Sequence, residues 1–74
     1  EDSYSGKSGN PFNVLSPREF EIVTLLLDGK TVTDISHTLN IQTSTVGTHK
    51  ARIFGKLGVT NILELKELAT TYNL

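Results

Sequence analysis

Between positions 44 and 56 the chain concentrates side chains that donate hydrogen bonds. They are the hydroxyls of Ser44, Thr45 and Thr48, the imidazole of His49, and the cations of Lys50, Arg52 and Lys56. Of these, the lysine and arginine cations suit anionic oxygen, phosphate above all. The charge layout points the same way. Residues 30–58 hold Lys30, Lys50, Arg52 and Lys56 against Asp34 alone, a balance of +3. Residues 1–29 set Lys7 and Arg18 against Glu1, Asp2, Glu19, Glu21 and Asp28, a balance of -3, and residues 59–74 come to -1. The formal net charge of -1 thus conceals a dipolar chain whose positive third surrounds the donors, and it is local excess that attracts phosphate.

Other chemistries find little to work with. Cysteine is absent, which removes thiol nucleophiles, disulfides and thiolate zinc sites. His37 and His49 are too few for a metal site without carboxylate help, and His37 reads as an ordinary exposed helix position. Glu19 and Glu21 do not read as an acid–base pair, because a helix cap accounts for Glu19. There is no nucleophile–base arrangement and no phosphate-cradling glycine loop, and 74 residues leave no room for a cleft with a supporting shell. We therefore expect no enzyme, no cofactor and no metal. No run approaches the ~18 apolar residues that a membrane span needs. A cytoplasmic setting is expected.

The elements that position these donors are helices with marked ends. Ser16, Pro17 and Glu19 form a capping box with proline at the first helical position, and Leu15 with Phe20 can make a hydrophobic staple. Ile22, Val23, Leu26 and Leu27 supply the apolar stripe, and Gly29 stops the helix. Thr31 and Asp34 cap a short second helix carrying Ile35 and Leu39, with Asn40 as a left-handed exit and Ile41 as a plug under the turn. A third helix spans 43–57 and ends at Gly58. At 100° per residue Val46, Ile53 and Leu57 share its core face, bordered by His49 and Lys50, while Ser44, Thr48, Ala51, Arg52 and Gly55 face outward. Asn61 and Glu64 form a further capping box, and Ile62, Leu65, Leu68, Ala69 and Tyr72 align along the fourth helix, leaving Leu63 off the stripe. The result is an all-α domain of four helices.

Residues 1–13, dominated by serine and glycine up to Pro11, read as a flexible linker from an N-terminal domain outside this chain, and 14–74 as the folded domain. A chain without methionine that begins at Glu1 is expected to be part of a longer protein. Only Asn40-Ile41-Gln42 separates the second and third helices, a turn short enough to make a helix-turn-helix whose second helix can enter a DNA major groove.

Leu15-Ser-Pro-Arg-Glu, Thr31-x-x-Asp-Ile, Thr45-Val-x-x-His49 and Lys56-Leu-Gly-Val59 occur in an order and spacing that resembles the C-terminal DNA-binding domain of LuxR/FixJ-type transcriptional regulators. The resemblance covers roughly residues 14–72. It implies a four-helix fold with a central helix-turn-helix, joined by a linker to a receiver or small-ligand-sensing domain. It implies, too, that residues 43–57 are the recognition helix, that Thr45, His49 and Lys56 meet phosphates, and that Thr48 meets base edges. Lys50 and Arg52 are added to the phosphate set, and Ser44 and Arg52 to the base set. The family often has long basic side chains where Gly47 and Ala51 stand, and serine where Gln42 stands, so Thr43 is expected to cap instead. Its fourth helix often forms the dimer contact, which here singles out Leu63.

The expected function is sequence-specific binding of double-stranded DNA as the output domain of a transcription regulator, in a homodimer on paired half-sites. The alternative is a helical protein-interaction module of the same fold with little or no DNA binding, for which Gly47, Ala51 and the net charge of -1 speak.

Overall fold

The computed structural model describes residues 10–74. Each α-helix in it but one begins where a side chain caps it. In α1 (Pro17–Leu27), Ser16 accepts from the Glu19 backbone N–H, and the Glu19 carboxylate accepts from the Ser16 N–H. In α2 (Val32–Leu39), Thr31 and Asp34 exchange the same pair of bonds. In α4 (Ile62–Thr71), the Asn61 side chain accepts from the Glu64 N–H. The reciprocal bond expected from Glu64 is not made to Asn61. Its carboxylate accepts instead from the Thr60 backbone N–H and hydroxyl, a neighbour that offers two donors at once. α3 (Thr43–Leu57) is the exception: Gln42 occupies its cap position and makes no side-chain cap bond. Thr43, expected to cap, is already the first helical residue.

The helix exits share one geometry. Gly29, Asn40, Gly58 and Asn73 all adopt positive φ, at 87°, 57°, 68° and 57°. Past each, the next residue's N–H returns to a carbonyl in the last turn: Lys30 to Leu25, Ile41 to Ser36, Val59 to Phe54 and Leu74 to Ala69. This closes the final carbonyls that an α-helix leaves open. At Asn40 the left-handed residue also redirects the chain into the two-residue approach to α3.

The apolar stripes meet in one core. Ile22, Val23 and Leu26 of α1, Ile35 of α2, Val46, Ile53 and Leu57 of α3, and Leu65 and Ala69 of α4 are buried, with Leu39 and Ile41 packed against them. Tyr72 lies beyond the end of α4 and stays exposed, so the stripe ends at Ala69. Core packing reaches upstream of residue 14, the expected start of the folded domain. Pro11–Val14 form a 3-10 turn capped by the Asn10 side chain, and Phe12 inserts into the core. One aromatic ring outweighs the linker-like composition around it, since burying it gains on the order of 2 kcal/mol. Residues 1–9 of the expected linker lie outside the described residues. The staple expected between Leu15 and Phe20 does not form as a buried pair: Leu15 packs against the core while Phe20 remains exposed.

Candidate nucleic-acid interface

α3 is anchored by Val46, Ile53 and Leu57, and this fixes which residues can face outward. Ser44, Thr48, Ala51, Arg52 and Gly55 are all exposed. With 3.6 residues per turn they resolve into two adjoining rows. Ser44, Thr48, Ala51 and Gly55 follow one line along the helix, and Thr45, His49, Arg52 and Lys56 follow the next. The first row is low and small. A Cβ added at Gly55 would meet nothing within 4 Å, so the helix backbone there is open to close approach. The Thr48 hydroxyl donates to the Ser44 carbonyl at 3.0 Å, which leaves its lone pairs and methyl group facing out.

The second row holds the donors, each constrained differently. Thr45 and Arg52 are exposed, and Arg52 forms no ion pair among the described residues. His49 is half-buried, with Nδ1 buried and without a hydrogen-bond partner among the described residues, so Nε2 is the ring nitrogen left to meet a ligand. Lys56 donates to Glu19 Oε1 at 2.7 Å. Glu19 is 4% exposed, whereas the Lys56 side chain is 41% exposed, so the ammonium is tethered at its inner side and open at its outer side. The Lys56 ammonium, followed by the Ser16 N–H, holds the Glu19 carboxyl below its ordinary value of 4.5.

The structure brings Thr45, His49, Arg52 and Lys56 together on one flank and Ser44 and Thr48 beside them. Lys50 does not join them. Two residues on from Thr48, it lies about 160° away around the helix. It is half-buried, and its Nζ stands over the Phe54 ring, 5.5 Å from the centroid. Leu63 is 67% exposed on α4, away from the core. Two features went unforeseen. The Glu19–Lys56 pair joins positions 37 apart in sequence, for which no local signal exists. The other is Ser36, buried within α2, with its hydroxyl donated to the Thr33 carbonyl at 2.7 Å. Among the described residues no cluster of metal-ligating side chains occurs, and no helix is long and apolar enough to cross a membrane.

Residues 13–69 match the family of bacterial regulatory proteins known as the luxR family. The response regulator UvrY of Escherichia coli is 37% identical over 68 residues, which covers 92% of this chain and 31% of UvrY. Response regulator GacA of Pseudomonas protegens is 35% identical over 72 residues, 97% of this chain and 34% of GacA. The Fimbriae Z protein of Escherichia coli is 41% identical over 61 residues, 82% of this chain and 29% of that protein. The chain thus spans about a third of the length of these relatives. No solved structure matches. The helix-turn-helix, the donor row on α3 and the match over residues 13–69 converge: the chain belongs to the luxR family of bacterial regulatory proteins.

Proposed function

We infer that this chain is the DNA-binding output domain of a bacterial transcription regulator. Family membership over residues 13–69 carries that reading, and it favours DNA over a bare protein-interaction module. α3 enters the major groove with the Ser44–Thr48–Ala51–Gly55 row against the bases, while Thr45, His49, Arg52 and Lys56 meet the phosphates along one wall of the groove. His49 donates from Nε2. Thr48, its proton engaged by Ser44, accepts from an exocyclic amine or packs its methyl on a thymine methyl, and Arg52 is the long side chain able to reach a guanine. With Gly47 and Ala51 in place of long side chains, the helix reads bases mainly by close approach and apolar contact.

By analogy with relatives named response regulators, the parent protein would carry an N-terminal receiver domain and work in the cytoplasm within a two-component system. A homodimer on paired half-sites, with Leu63 at the α4 contact, would supply the avidity that a single small domain lacks. The stretch ahead of the Pro11–Val14 turn would serve as the tether to the receiver.

A fluorescence-anisotropy titration of this chain onto mixed-sequence duplexes at about 50 and about 200 mM salt tests the reading: several phosphate contacts predict an affinity loss of orders of magnitude over that interval. Binding absent at the lower salt would overturn it.

A further inference from the structure

On the side of α3 turned away from the donor rows, a pocket of 340 Å³ opens between the α1–α2 connection, α3 and α4. Leu26, Val32 and Ile62 form its apolar floor, and Lys30, Lys50 and Lys66 stand around it. The three lysines come from three different elements, so no single helix face explains their meeting. Lys30 is partly compensated, with Asp28 at 3.9 Å and Asp34 close enough to feel its charge. Lys50 and Lys66 pair with no carboxylate among the described residues. Lys50 is half-buried and braced over Phe54, which costs side-chain freedom without any intramolecular ion pair to offset it.

We propose that this pocket docks an acidic segment of a second protein, which places an aliphatic side chain on the Leu26–Val32–Ile62 floor and carboxylates on Lys50 and Lys66. Charge complementarity selects an acidic occupant. The apolar floor selects a protein over nucleic acid, because a phosphodiester backbone has nothing to fill it. The position of Lys50, about 160° around α3 from Thr48, leaves the pocket open when the outer rows are engaged, so the partner and DNA bind together. Only that simultaneity rests on the DNA reading; the docking does not.

The test is an NMR titration of the isotope-labelled 74-residue chain with a synthetic peptide of alternating leucine and aspartate or glutamate. The comparison probes are the same peptide with serine for leucine, and sodium phosphate. Amide shifts are expected at Lys30, Val32, Lys50, Ile62 and Lys66. Lys50→Gln combined with Lys66→Gln should weaken binding about fivefold or more, while Arg52→Gln leaves it unchanged. Dispersed spectra of both variants show that they fold. Addition of a saturating DNA duplex should leave the peptide bound. Equal binding of the serine peptide, full competition by phosphate, shifts confined to the Thr48–Arg52 face, or no shift at millimolar peptide would each overturn the proposal. Pocket shifts that depend on the concentration of the chain alone would assign the surface to a second copy and overturn it equally. Displacement of the peptide by DNA would overturn joint occupancy, and failure to bind DNA would count against the DNA reading without touching the docking result.

Discussion

Glu19 joins a local device to a distant one. Its carboxylate closes the capping box of α1 through the Ser16 N–H and, with the same oxygen, holds Lys56 near the end of α3. Both donors favour the charged form, Lys56 more than Ser16, so the folded-state pKa lies below the ordinary 4.5. A depressed carboxyl contributes stability that is present above its unfolded value and disappears as the pH falls through the folded one. Asp34, lowered by the Thr31 N–H and hydroxyl, contributes in the same direction. Thermal melts should therefore show the domain losing stability as the pH falls below about 4.5, and Glu19→Gln should flatten that decline while lowering the melting temperature near neutrality. An unchanged pH profile in Glu19→Gln would remove the pair from the account. A second prediction concerns Gly47 and Gly55. A Cβ at either position meets nothing within 4 Å, so no packing within the domain requires glycine. Gly55→Ala should stabilise by about 1 kcal/mol, and Gly47→Ala by a similar amount. In a domain this small each corresponds to a rise of about 4–8 °C in melting temperature. A lower melting temperature would mean that these glycines serve the fold.

At the scale of the elements, α3 is the one α-helix without a side-chain cap among the described residues. Gln42 is too long to fold back onto the N–H groups of the first turn, unlike Ser16, Thr31 and Asn61. Gln42→Ser should add roughly 0.5–1 kcal/mol, measured by chemical denaturation, and no gain would show that those N–H groups are already satisfied. The turn ahead of it depends on Asn40 at φ 57°. Asn40→Ala should cost about 1 kcal/mol, while Asn40→Gly should be tolerated, since glycine adopts that region freely. These signals are short-range, which is why the boundaries of α2 and α3 could be read from Thr31, Asn40 and Gly58 alone. The same local rules misplaced Glu64, because Thr60 competes with Asn61 for one carboxylate over almost the same distance. They passed over Phe12, because a buried ring in a linker-like context is a tertiary event. For the site, the helical period separated the outward residues of α3 from its core face. It put Lys50 only at the edge of the core and gave no sign of the pocket that its side chain lines together with Leu26, Val32, Ile62 and Lys66.

For the molecule as a whole, charge is organised by pairing as much as by count. The positive third around α3 carries Arg52 with no ion pair among the described residues and Lys56 tied to a nearly buried carboxylate. A phosphate approaching Lys56 meets an ammonium whose field is already partly cancelled by Glu19. Arg52 presents a full charge at the centre of the donor row. The two cations should therefore differ in their share of counterion release. Arg52→Ala is expected to shallow the dependence of log K on log salt by about 1, and Lys56→Ala by distinctly less. Glu19→Gln removes the compensating charge and leaves Lys56 fully available, so it should steepen the dependence and tighten binding to duplexes of any sequence, even as it weakens the fold. Its opposite effects on stability and on DNA affinity separate a charge that organises the domain from one that meets the ligand. Anisotropy titrations of these variants on one duplex at several salt concentrations read all three slopes. Equal slopes for Arg52→Ala and Lys56→Ala would show that the Glu19 tether opens on binding, and a shallower slope for Glu19→Gln would show that the carboxylate instead aims the ammonium at the phosphate.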